Sequence, residues 1–120
     1  MTQAVRGAIQ VAQNSRPSIH RAAARLVREM LDRNAVDEND IVSILFSVTG
    51  DLSAANPATG LREVGFAETP LFCCQEPPVD GGMPRVIRVL LTWECARRTR
   101  GVPVYLDGAA TLRPDLEPAS

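Results

Sequence analysis

Lysine is absent from the 120 residues, and all 13 basic side chains are arginine. This excludes lysine Schiff-base chemistry and the lysine of a phosphate-binding loop, two widespread ways for an enzyme to use an amine. Cysteine is scarce as well. Cys73, Cys74 and Cys95 are odd in number and two are adjacent, a poor basis for a disulfide framework, so a reducing compartment is expected. Histidine occurs once, as His20, on a stretch with helical periodicity where a surface or boundary role is expected, and a nucleophilic thiol therefore lacks an evident base. The cysteines and His20 match no zinc spacing, and no metal or other cofactor is expected. No apolar run approaches the ~20 residues of a membrane-spanning helix. Met1 to Val11 carries neither a basic segment nor a hydrophobic stretch, so the expected setting is cytoplasmic, away from membranes. A net charge of −1 argues against holding nucleic acid by neutralising phosphates.

What is present fits one globular domain spanning residues 1–120. Hydrophobic residues make up 45% and charged residues 22% of the chain, near globular averages, and the length supports one core and hence one site. Ala4 to Val11 reads as an opening strand. Ser15 or Ser18 can cap a helix in which Ile19, Ala23, Leu26, Met30 and Leu31 recur at three- and four-residue steps up to about Asn34. Asp37 to Asp40 is turn material, and Ile41 to Val48 is a β-branched run suited to a buried strand. Asn56 and Pro57 can start a short helix that reaches Val64, with Gly65 as its C′ residue. Pro70 to Cys74, Arg85 to Trp93 and Val102 to Leu106 complete five strands, and 113–120 is too rich in proline to be regular. Trp93 and Phe46 read as core.

These elements predict an α+β fold, a mixed five-stranded sheet with one long and one short helix. One long helix cannot cover both faces of five strands. The bare face would be an apolar patch of the kind that becomes a subunit interface, so a homo-oligomer is expected.

Arginine presents paired donors that stay charged at any physiological pH and suits planar carboxylates. Arg88 stands out because it shares a strand face with Val86 and Leu90 in a run that favours burial. A buried guanidinium without a partner costs roughly several kcal/mol, so it must meet an acid such as Glu76, an anionic ligand, or both. Arg6 has two readings, a surface arginine on a strand beside a flexible glycine or a second anion ligand. Glu76, just past a short strand and before two prolines, can point into a pocket or into solvent. Arg62 and Arg113 read by themselves as solvated charges. Cys73 and Cys74 point to opposite faces of their strand. Gly81-Gly82 lacks the strand–glycine–helix context of a phosphate loop and reads as a turn.

Taken in order, Arg6-Gly7-Ala8, Arg62-Glu63, Cys73 with Gln75-Glu76, Gly81-Gly82, Ile87-Arg88-Val89, Val104-Tyr105-Leu106 and Leu112-Arg113-Pro114-Asp115 form a pattern. From Arg6 to Leu116 the chain resembles the AroH-class chorismate mutases. The resemblance implies a pseudo-barrel homotrimer with active sites between neighbouring subunits. It implies the rearrangement of chorismate to prephenate, a cofactor-free step of aromatic amino acid biosynthesis. It also implies roles: Arg88 donates to the ether oxygen, Glu76 accepts from the ring hydroxyl, and Cys73 supports that contact. Arg6 and Tyr105 would hold the side-chain carboxylate, and Arg62 and Arg113 would screen the second carboxylate while the tail closes over the site. Phe72, Leu112, Ala58 and Thr59 would complete the substrate contacts. Asn56 and Thr59 depart from the family pattern, which often has an aromatic and a lysine there, and both concern the pocket rim. Two other classes remain open on sequence alone: an imine or enamine deaminase-like trimer, which would use an activated water, and a non-catalytic metabolite-binding module.

Overall fold

A computed structural model describes residues 1–116. Its elements in chain order are strand β1 (Thr2–Gln10), helix α1 (Arg16–Asn34), strand β2 (Ile41–Val48), helix α2 (Pro57–Glu63), and strands β3 (Leu71–Gln75), β4 (Val86–Glu94) and β5 (Val104–Leu106). Two 3₁₀ turns, Glu38–Asp40 and Asp107–Leu112, precede β2 and follow β5. The mixed α+β sheet expected from the sequence is present, in the order β3-β2-β4-β1-β5. Antiparallel pairing joins β4 to both β1 and β2, while β5 runs parallel to β1 and β3 parallel to β2.

Local chemistry accounts for the boundaries. Ser15, in extended backbone, accepts a hydrogen bond from Ser18 N and caps α1, which starts on Arg16 and Pro17. Ala35 ends it in the left-handed region at φ 51. Asn56 caps α2 through Ala58 N at 2.9 Å, and Gly65 follows its C-cap at φ 132, a conformation that favours glycine. His20 sits at the boundary between α1 and α2, one of the two places expected for it, with its side chain 11% exposed. Gly60 of α2 comes so near that a Cβ there would meet His20 Cα at 2.8 Å, and His20 Nδ1 lies 3.3 Å from Glu63 Oε2.

Ile19, Leu26, Val27 and Met30 of α1 are fully buried against one face of the sheet, where Ile9, Ile44, Phe46, Ile87 and Leu91 meet them. Trp93 joins this core at 4% exposure, as its apolar run predicts. Gly7 belongs to the same packing, because a Cβ there would sit 2.6 Å from Met30 Sδ and 2.9 Å from the Val104 carbonyl oxygen. Close approach, rather than a backbone bend, calls for glycine at that position. Among the described residues no helix covers the middle of the opposite face, where Leu45, Leu90 and Phe72 remain 42%, 38% and 65% exposed. One end of it is capped: the second 3₁₀ turn lays Ala109 against Ala8 and Val86, with Met83, Tyr105 and Leu112 around them. Among the described residues no helix is long and apolar enough to cross a membrane.

Candidate active site

Strand register places the singled-out residues in two rows across the bare face. One row runs Tyr105, Ala8, Arg88, Ser47, Cys74, from β5 to β3. The next runs Arg6, Leu90, Leu45, Phe72. Side chains alternate with period two, so both rows face away from α1. Ser47, the small neighbour of Arg88 on β2, helps line a hollow of about 300 Å³ bordered by Arg6, Arg88 and Tyr105. A second hollow of about 480 Å³ adjoins it, between Glu76, the following prolines and Asp51, and Arg88 lines both.

Glu76 continues the strand, donating its backbone N–H to Val48 O at 2.8 Å, and so falls on the same face as Cys74 and Arg88. Its carboxylate pairs with Arg88 at 2.7 Å, measured from Nε to Oε1. Ser47 Oγ donates to that same Oε1 at 3.1 Å. One carboxylate oxygen therefore takes both contacts, and among the described residues no hydrogen bond reaches Oε2. Arg88 makes its shortest contact with Glu76 through Nε, and among the described residues no hydrogen bond leaves its two terminal nitrogens. The Arg88 side chain is 43% exposed, so its charge keeps some contact with solvent, contrary to the full burial its apolar run suggests. Of the partners that the sequence offers Arg88, the acid is the one present beside it, Glu76.

Arg6 has no side-chain hydrogen bond or ion pair among the described residues, and it lines the hollow. Arg113 lies over the Tyr105 ring, 5.6 Å from guanidinium carbon to centroid. It donates to Asp115 through Nε and Nη2 at 3.1 and 3.0 Å, which raises its pKa further above the ordinary arginine value and lowers that of Asp115. Leu112 packs beside Tyr105. Arg6, Tyr105, Arg88 and Glu76 thus share the bare face, with Arg113 over Tyr105 at its β5 edge.

Other candidates lie elsewhere in the chain. Cys73 pairs with Phe46 and turns its side chain to the helix-bearing face, away from Arg88. Burial, and then the neighbouring Cys74, push its thiol pKa up. Cys73 does present something else to a ligand. Ile44 N bonds to Pro70 O, and Glu76 N to Val48 O, so even-numbered residues of β3 direct their peptide groups at β2. The odd-numbered ones, Cys73 included, direct theirs to the free edge of the sheet. Arg62, Ala58 and Thr59 sit on α2 behind the sheet, and Arg62 Nη1 bonds to the Phe66 and Ala67 carbonyl oxygens, the latter at 3.0 Å. Phe72 does face the arginine side. The expected closure by 113–120 involves residues 117–120, which lie outside the described residues. Ser47 and Cys74 escaped the sequence reading, although Ser47 is the polar residue opposite Arg88 once the strands are paired.

Comparison with known proteins converges on one family. The model for chorismate mutase type I matches residues 2–116. Chorismate mutase AroH of Thermus thermophilus is 40% identical over 121 residues, covering 99% of both chains. The Bacillus subtilis protein of the same name is 34% identical, covering 97% of this chain and 93% of its own. A solved chorismate mutase from Clostridium thermocellum superposes with a TM-score of 0.87 at 37% identity, covering 91% of this chain and 98% of that one. With the sheet, the arginine-lined hollow and these likenesses in agreement, the chain belongs to the type I chorismate mutase family.

Proposed function

We propose that Arg88, Glu76, Arg6 and Tyr105 carry the reaction of this family, the isomerisation of chorismate to prephenate, through positioning and charge stabilisation alone. The reaction breaks a C–O ether bond while a C–C bond forms, within one molecule. No proton moves and no covalent intermediate forms, which suits a site with no base assigned to it. The rate gain must come from holding the enolpyruvyl group over the ring and from donors fixed where negative charge develops. The observation that supports this reading is the half-used pair: Glu76 meets Arg88 at Nε, and among the described residues no hydrogen bond leaves the terminal nitrogens. Those nitrogens donate to the ether oxygen as it becomes negative. Oε2 of Glu76 is open in the same way and accepts from the ring hydroxyl. Arg6 and Tyr105 hold the side-chain carboxylate, and Leu112 packs at the mouth where Arg113 screens the second carboxylate.

The remaining contacts come from a neighbouring subunit in a homotrimer, with Phe72, Ala58, Thr59 and Arg62 of one chain beside the Arg88 hollow of the next. Support comes from the bare face itself, where Leu45 and Leu90 line the charged hollow, Phe72 lies exposed in the same row, and none of the described residues covers them. Cys73 supports the hydroxyl contact through its edge N–H rather than its thiol, which faces the core. Incubating the purified protein with chorismate and assaying prephenate tests the reaction. Formation of prephenate is the expected result, and binding without turnover contradicts it. Light scattering tests the assembly, with a mass of three times 13.0 kDa expected and a monomer contradicting it.

A further inference from the structure

Asp107 opens the 3₁₀ turn that leads from β5 to Leu112, and it does so at φ 55, a region aspartate enters more readily than most residues. Its two carboxylate oxygens both accept from Arg25 Nη1 on α1, at 3.0 and 2.9 Å, across 82 residues of sequence. Gly108 follows it tightly against β1, since a Cβ there would overlap Gln10 Oε1. Gln10 is itself fixed by donating from Nε2 to Pro84 O at 3.1 Å. Ala109, fully buried, then packs on Ala8 and Val86. The turn is pinned at three successive residues, and its far end places Leu112 beside Tyr105 and Arg113 over the Tyr105 ring.

Two of those pins are packing against the sheet, and only the first ties the turn to the helix layer. We infer that Arg25 and Asp107 are positioning residues for the substrate site, acting through the 3₁₀ turn to hold Leu112 and Arg113 at the mouth of the hollow. This rests on the reading of that hollow as the chorismate site. Neither residue touches the reacting atoms. Loosening the turn releases groups that bind the substrate and leaves Arg88 and Glu76 in place, so the effect falls on KM rather than kcat.

The pair is half exposed, with side-chain exposures of 57% and 48%, which keeps its coupling modest. Arg25→Ala and Asp107→Asn should each raise KM for chorismate roughly two- to fivefold, the scale of an exposed ion pair. Asparagine also tolerates the left-handed backbone, so Asp107→Asn removes the charge and spares the turn. Turnover at saturation should stay within about twofold, and the double variant should be no worse than either single one, as expected when the two act as a unit. Amide hydrogen exchange across 108–113 should quicken in all three. Arg33→Ala, which breaks an i,i+4 pair with Glu29 on the same helix, should change neither readout. A wild type that makes no prephenate sinks the reading of the hollow and this inference with it. An active wild type whose Arg25 and Asp107 variants keep KM unchanged overturns the inference alone, whether or not exchange quickens; so does a KM rise equalled by Arg33→Ala.

Discussion

The two faces of β4 behave as different materials. Ile87, Val89, Leu91 and Trp93 point towards α1 and are buried; Val86, Arg88, Leu90 and Thr92 alternate with them on the other side, and from Arg88 onwards they stay partly or largely open. On the helix side Ile87, Val89, Leu91 and Trp93 belong to one core with Ile19, Leu26 and Met30 of α1. On the bare side Glu76 holds Arg88 by a single nitrogen, and Arg6 has no partner among the described residues. The contrast separates what holds the fold from what waits for a ligand, within one strand and at a spacing of one residue.

Breaking the helix side should cost stability first. Leu26 is fully buried on α1, and Leu26→Ala should lower the unfolding free energy by about 2–5 kcal/mol in denaturant titration, through lost contacts and a cavity. A loss below about 1 kcal/mol would mean that α1 does not carry the core. At the free edge, Cys73→Pro should remove an outward N–H without breaking a bond to β2, because proline is tolerated on edge strands. Turnover should fall by about ten- to a hundredfold, the scale of one lost donor to a buried group, with little change in the unfolding midpoint. Cys73→Ala, which keeps the N–H, should stay within about threefold of wild type; equal damage from the two would return the role to the thiol. Smallest of all should be the response to pH. The shifted groups near the site move away from neutrality, Cys73 and Arg113 upwards and Asp115 downwards. Asp115, with its folded pKa lowered, stabilises the fold above the ordinary carboxylate range and loses that contribution only as pH falls through the folded value. The rate should therefore be almost flat from about pH 6 to 9, and a bell centred near 7 would reveal a general base.

The helix side was also the more legible half in the sequence. Ile41 to Val48 matches β2 at both ends, because a β-branched run bounded by acidic turn residues and Thr49-Gly50 leaves little choice. Ser15 caps α1 as its position suggests. The other strands begin one or two residues from their expected starts and β1, β3 and β4 end one residue from theirs, where fraying ladders blur the pattern, while β5 ends at Leu106 as expected. The 3₁₀ turn from Asp107 to Leu112 was not foreseen: Asp-Gly-Ala-Ala has no period of its own, and its shape comes from Arg25, Gln10 and Val86, all distant in sequence. Pairing also decides the site. Alternation places Cys73 and Cys74 on opposite faces, but only the register with β2 shows that Cys74 shares a face with Arg88 and that Ser47 lies opposite it. Arg88 was legible because a charge inside an apolar run is a conflict that some partner must resolve.

The central claim is that a guanidinium with open terminal nitrogens supplies the charge stabilisation. Turnover of Arg88→Lys at saturating chorismate tests it most directly, since lysine keeps the charge and loses the planar fork. The expected result is a fall of several hundredfold or more, corresponding to the roughly 3–4 kcal/mol of a lost preorganised donor, with the unfolding midpoint unchanged. Near-normal turnover in that variant would contradict the account.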